Sequence, residues 1–135
     1  MYLLDTNVIS ELRKPRPHGA VVRWIEQVAD HDLHLSAVTL AEIQAGIEIT
    51  RGQDPAKAAE LEQWADQLAQ TVSILSMDTA CFRRWARLMH GKTDALYEDA
   101  MIAATALEHR LMVVTRNVRD FAGFDVPLLD PFAQQ

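Results

Sequence analysis

The chain has 135 residues, 49% of them apolar and 24% charged. That suits one domain spanning 1–135 with a core of its own. It excludes a disordered tail, a fibrous repeat and a membrane span, because no run approaches the ~18 consecutive apolar residues a spanning helix needs. Thirteen Lys and Arg oppose nineteen Asp and Glu, a net charge of −6, so net charge alone will not hold a nucleic acid. The single cysteine, Cys81, excludes an internal disulfide and a cysteine-rich zinc site. The N-terminus has no basic region and no long apolar run, so no secretory leader is expected and the default compartment is cytoplasmic.

Residues 1–4 are short and apolar and run into Asp5-Thr6-Asn7, which predicts a buried strand followed by a helix start. Two prolines interrupt residues 13–17. Val21, Val22, Ile25, Val28 and Ala29 then recur at helical spacing. Residues 33–35 read as a short strand. Ser36 or Thr39 opens a helix carrying Leu40, Ile43 and Ile47 on one face, and residues 52–55 turn. Ala58, Leu61, Ala65 and Leu68 form the apolar stripe of the next helix. Residues 72–75 read as a strand, and Asp78 caps a helix with Cys81, Phe82, Trp85, Leu88 and Met89.

Glu98 and Asp99 open a helix rich in small residues, suited to close packing on a sheet. Residues 111–114 are an uninterrupted apolar strand, as expected for one covered on both faces. Residues 115–120 form a polar turn, and 126–129 a last strand. Strands alternating with helices predict an α/β fold with a parallel sheet between two helical layers.

The chemistry narrows by exclusion. There is no phosphate loop, no Gly-x-Gly-x-x-Gly turn, no Gly-x-Ser-x-Gly elbow and no His-Glu-x-x-His helix. The five histidines stand singly, most of them expected at the surface. Carboxylates remain, at strand-to-helix junctions. Open parallel sheets bind ligands beyond the carboxyl ends of their strands. Asp5 follows the first strand, Glu42 lies early in the helix after residue 35, Asp99 opens a helix, and Asn117 and Asp120 follow residues 111–114. Converging carboxylates repel unless a cation sits between them. Oxygen ligands of this kind suit Mg²⁺ or Mn²⁺, and such ions activate water against phosphodiesters.

Each residue also has a plainer use. Asp5 can cap a helix. Thr39 and Glu42 fit the spacing of a capping box. Asp99 favours a helix dipole, and Asp120 suits a turn. The basic stretches Arg13, Lys14, Arg16, Arg23 and Arg83, Arg84, Arg87, Lys92 can be solvated surface or can hold phosphates.

Taken together, Leu-Leu-Asp5-Thr6-Asn7-Val-Ile-Ser, Ser36-Ala-Val-Thr39-Leu-Ala-Glu42-Ile, Asp99-Ala-Met-Ile-Ala-Ala-Thr-Ala and Val-Thr115-Arg-Asn117-Val-Arg-Asp120-Phe resemble the PIN domain. They are most similar to its VapC and FitB-like toxin branch, over essentially the whole chain. The resemblance implies a three-layer α/β/α fold around a parallel sheet of four to five strands. It implies a metal-dependent endoribonuclease using Mg²⁺, or Mn²⁺, and a homodimer neutralised by a VapB-type antitoxin. Asp5, Glu42 and Asp99 match the family's main acids, with Asp5 and Asp99 on the ion and Glu42 reaching it partly through water. Thr6 and Thr115 match supporting hydroxyl positions. The chain departs at the fourth acidic position, where Asn117 removes one charge; Glu98 or Asp120 could replace it. Arg13 and Lys14 are expected to meet RNA.

Two other classes fit less of the sequence. A non-cutting PIN module is favoured only by Asn117. A phosphatase of the haloacid dehalogenase type needs Asp-x-Asp, where this chain has Asp5-Thr6-Asn7, and a receiver needs paired acids after the first strand and a late lysine.

Overall fold

The computed structural model describes residues 1–133. In chain order the elements are β1 (Tyr2–Leu4), α1 (Thr6–Arg13), α2 (Gly19–Glu26), β2 (Leu33–Ser36), α3 (Ala37–Arg51), α4 (Pro55–Thr71), β3 (Ser73–Leu75), α5 (Thr79–Met89), α6 (Tyr97–His109), β4 (Met112–Val114), α7 (Val118–Phe121) and β5 (Leu128–Leu129). The strands form one five-stranded sheet in the order β3-β2-β1-β4-β5, every pair parallel.

Period-two alternation divides the core between the two faces. Leu4, Leu35 and Val114 pack with Val8, Val21, Ile43, Ile47 and Leu68 from α1 to α4. Leu3 and Val113 point the other way, onto Ala100, Ile102, Ala103 and Ala106 of α6 and onto Phe121. The result is the expected three-layer α/β/α sandwich. Each fully buried Leu or Val in it contributes roughly 1.5–3 kcal/mol.

The chain leaves β1 for β2 and β3 on one side and returns to place β4 on the other. The order therefore reverses between β1 and β4, which is where an open α/β sheet leaves a crevice at its carboxyl edge. Close packing of α6 on the sheet follows from its composition: Ala100, Ala103, Ala104 and Ala106 are wholly buried.

Several boundaries differ from the sequence reading. α2 stops at Glu26, and Val28 reaches the core from beyond it, ahead of a 3₁₀ turn at Asp30–Asp32. Leu111 donates to the Ala106 carbonyl and so closes α6 instead of starting β4. Pro127 has no N–H to give a ladder, and β5 begins after it. The polar turn at 115–120 contains the short helix α7. No helix among the described residues is long and apolar enough to cross a membrane.

Candidate metal centre

Asp5 is the first residue beyond β1 and the N-cap of α1. The capping reading of it applies, and the second oxygen is left for side chains from elsewhere in the fold. Its Oδ1 accepts from the Thr6 backbone N–H at 2.8 Å. Its Oδ2 accepts from the Thr115 hydroxyl at 2.8 Å and from Asn7 Nδ2 at 3.2 Å. Its own N–H donates to the Val114 carbonyl at 2.9 Å, which ties the ends of β1 and β4 together. Only 4% of Asp5 is exposed. Burial pushes its carboxyl above the ordinary range, the three hydrogen bonds pull it back, and the charge of Asp120 raises it again.

Thr115 is fully buried. Its hydroxyl gives its one hydrogen to Asp5 and accepts from Asn7 Nδ2 (3.3 Å) and the Asn117 N–H (2.9 Å), which fills its capacity. Asn7 completes the bracket, with Oδ1 accepting from the Arg116 N–H at 3.1 Å. Asn7 was noted in the sequence only as part of a motif. Its signal was there: an amide two residues past a cap, where one side chain can both donate and accept.

Glu42 lies on α3, and the capping-box reading of it is overturned. Ser36 is the N-cap, accepting from the Val38 N–H at 3.0 Å. Thr39 is inside the helix, fully buried, its hydroxyl unpaired among the described residues. Glu42 instead takes the Thr6 hydroxyl at 2.7 Å, from a residue 36 positions away. Burial raises the Glu42 carboxyl; the Thr6 hydroxyl opposes this, and Asp5 and Glu98 add to it.

Asp99 sits in the first turn of α6. Its carboxyl is pushed up to about 6, by burial first and then by the charges of Asp5, Asp120, Glu42 and Glu98. Those causes define the cluster: five carboxylates from four segments feel one another at the β1/β4 crevice. Among the described residues none of the five has a Lys, Arg or His partner within 4.0 Å. No three His, Cys, Asp or Glu side chains among them close tightly enough to enclose an ion unaided. The cluster is thus open, and a cation held there would keep water in much of its shell. Asn117 contributes its backbone N–H to Thr115, and its side chain caps nothing.

Arg13 and Lys14 part company. Arg13 lines a groove of about 280 Å³ with Thr6, Glu42, Ile47 and Trp64, its guanidinium 5.6 Å from the Trp64 ring centre. Lys14 turns back to Glu11 Oε1 at 2.8 Å. In the second basic stretch Arg84 pairs with Glu108. Of the histidines, His34 is an exception to the expected exposure: it is half-buried, with Nδ1 against Ser73 Oγ at 2.9 Å.

The fold is a doubly wound parallel sheet with carboxylates around its switch point. Residues 2–126 match the PIN domain family model. The chain is 34% identical to Toxin FitB of Neisseria gonorrhoeae, covering 98% of this chain and 99% of that one. It is also 34% identical to VapC ribonuclease Y4jK of Sinorhizobium fredii, covering 98% of each. The crystal structure of FitAcB from Neisseria gonorrhoeae superposes with a TM-score of 0.84 at 35% identity, over 98% of this chain and 99% of that one. A toxin–antitoxin complex from Klebsiella pneumoniae superposes at 0.74 with 28% identity, over 97% and 98%. This chain belongs to the PIN domain family.

Proposed function

We propose that this protein is a divalent-metal-dependent endoribonuclease and the toxin of a toxin–antitoxin pair. The observation that carries the reading is the gathering of Asp5, Glu42, Glu98, Asp99 and Asp120 without a neutralising side chain. Packing like charges this way is unfavourable unless a cation completes the site. Likeness to a VapC ribonuclease and to Toxin FitB supports RNA as substrate and toxicity as the outcome.

Asp5 and Asp99 would hold the ion, and Glu42 would complete the acidic cluster beside it. The donors fit Mg²⁺, with Mn²⁺ able to replace it. When bound, such a cation acidifies water and offsets phosphate charge. The protein's own part is positional. Thr115, Asn7 and the Thr6 N–H fix both oxygens of Asp5. The Thr6 hydroxyl holds Glu42 Oε1, so this carboxyl stays aimed at the crevice. Water adds to phosphorus in line, the cluster takes the proton that water loses, and the opposite phosphorus–oxygen bond breaks to release a ribose hydroxyl that takes a proton from solvent. Asp120, whose charge reaches both Asp5 and Asp99, supplies charge that Asn117 does not.

The antitoxin partner is supported by the toxin–antitoxin complex among the structural neighbours. An arginine of such a partner would suit the acidic crevice, since guanidinium pairs bidentately with carboxylate. A second copy of the chain has exposed apolar side chains to meet, Phe82 and Tyr97.

The test is incubation of purified protein with total cellular RNA in Mg²⁺, in Mn²⁺ and in EDTA, beside Asp99→Asn. Discrete fragments that need metal and vanish in the variant are expected. Identical patterns from wild type and Asp99→Asn would refute the reading.

A further inference from the structure

A chain of net charge −6 that cuts RNA at an acidic crevice must grip phosphates with particular side chains. Four of the thirteen Lys and Arg side chains are already engaged. Lys14, Arg51, Lys57 and Arg84 each sit on a glutamate. Arg116 does not: among the described residues it has no carboxylate within 4.0 Å. Its guanidinium lies over the Phe132 ring, 4.5 Å from the ring centre. The ring of His18 meets Phe132 edge-on at 5.4 Å. Three distant segments thus meet to seat one exposed arginine.

Its place in the site is equally specific. Arg116 directly follows Thr115, and its N–H is bonded to Asn7, so the backbone that carries it is the backbone that brackets Asp5. Beside it opens a polar hollow of about 370 Å³ lined by Arg116, Asn117, Val118, Arg119 and Asp120. Arg119 is exposed and likewise has no carboxylate within 4.0 Å among the described residues. On the opposite flank, Arg13 beside Glu42 is also laid over an aromatic ring. A guanidinium held by a ring keeps its N–H edge free and gives up less side-chain freedom on binding an anion than a loose lysine does.

We propose that Arg116, seated on Phe132, grips an RNA backbone phosphate neighbouring the one that is cut, with Arg119 across the hollow. This rests on the ribonuclease reading above. The phosphate track then runs across the crevice from the Arg13 flank to the Arg116 flank, with the acids between them.

The experiment measures binding of a fluorescently labelled single-stranded RNA to the full chain in EDTA, by anisotropy over a salt series. Wild type, Arg116→Gln, Arg116→Lys and Phe132→Leu are compared, with thermal melting and a Mn²⁺ titration of each. Losing one charge-assisted contact should weaken binding by roughly 10–100-fold in Arg116→Gln. It should also flatten the dependence of log affinity on log salt by about 0.7, the share of one phosphate on a single strand. Arg116→Lys and Phe132→Leu keep the charge, so both should keep the wild-type slope while binding less tightly. Mn²⁺ affinity should not fall in Arg116→Gln. Wild-type affinity and slope in Arg116→Gln would overturn the inference. So would a loss of Mn²⁺ affinity matching the loss of RNA, which would mean that Arg116 acts through Asp5. A wild type that cuts RNA while Arg116→Gln binds and cuts equally well removes this inference alone. A wild type that never cuts RNA removes the ribonuclease reading.

Discussion

The Thr115 hydroxyl donates to Asp5 Oδ2 at 2.8 Å across 110 residues of sequence. The bond joins the ends of β1 and β4, the two strands between which the sheet order reverses. A buried carboxylate is costly unless its lone pairs are filled. Here the fold fills them from the ends of both strands. The contact that stabilises the switch point also orients the acid, so structure and chemistry share one hydrogen bond.

Removing only that hydroxyl tests the arrangement. Thr115→Val keeps the shape but leaves Asp5 Oδ2 with the Asn7 amide alone and strands the Asn117 N–H, which should cost about 1–3 kcal/mol in denaturant unfolding. Groups that orient metal ligands typically matter 10–100-fold in affinity, so calorimetric Mn²⁺ titration should weaken by about that factor. Thr115→Ser should restore most of both. A Val variant that binds Mn²⁺ like wild type would show that Asp5 needs no bracket.

The charge of the cluster has a pH signature. Asp99 titrates near 6 in the folded chain against an ordinary 3.8, because burial and four neighbouring acids disfavour its charge. The folded state therefore holds this proton more tightly than the unfolded state. The stability it brings is full below the ordinary value and is lost as pH rises through about 6. At about pH 7.5 in EDTA, Asp99→Asn should melt higher than wild type, and the gap should close at about pH 4. Mg²⁺ should raise the wild-type midpoint more than the variant's, since an ion that binds only the folded state stabilises by mass action. Equal midpoints across the whole range would mean that the acids do not feel one another.

The strands were legible because each is a short apolar run bounded by polar residues, and the layering follows once strands and helices alternate. Asp5 and Asp99 were legible because junction carboxylates stand out at the rim of such a sheet. Glu42 shows the limit of local spacing. Ser36 and Thr39 both look like caps, and Thr39 with Glu42 has capping-box spacing. Which role Glu42 takes depends on Thr6, whose hydroxyl reaches it only after α1 and α3 pack. The basic residues show the same limit. Composition could not separate Lys14, folded back on Glu11, from Arg116, which reads as an ordinary turn residue until Phe132 arrives beneath it.

Asn7 is the clearest residue to have gone unread, and its chemistry gives a sharp test. Asn7→Asp replaces a donor to Asp5 with a second carboxylate against it. Two carboxylates sharing a site cannot both ionise freely, and one must titrate far higher. The variant should be destabilised at neutral pH, recover in mild acid, and recover again at high Mn²⁺. Melting curves over pH and Mn²⁺ concentration report all three. A neutral-pH midpoint equal to wild type would place the Asn7 amide outside the bracket.

The last prediction concerns how α6 carries Asp99 to the rim. Ala100, Ala103, Ala104 and Ala106 are wholly buried, so the helix has no slack against the sheet. Ala103→Leu puts an isobutyl group where only a methyl fits, which should cost about 1–3 kcal/mol. The helix can relieve the clash only by moving off the sheet, and Asp99, one turn away on the same helix, must move with it. Mn²⁺ affinity should therefore fall together with stability. Ala59→Leu, at an exposed site on α4, should stay within about 0.5 kcal/mol and leave Mn²⁺ binding unchanged. If Ala103→Leu loses stability yet binds Mn²⁺ as tightly as wild type, the position of Asp99 is set by its own turn and not by the packing of the helix beneath it.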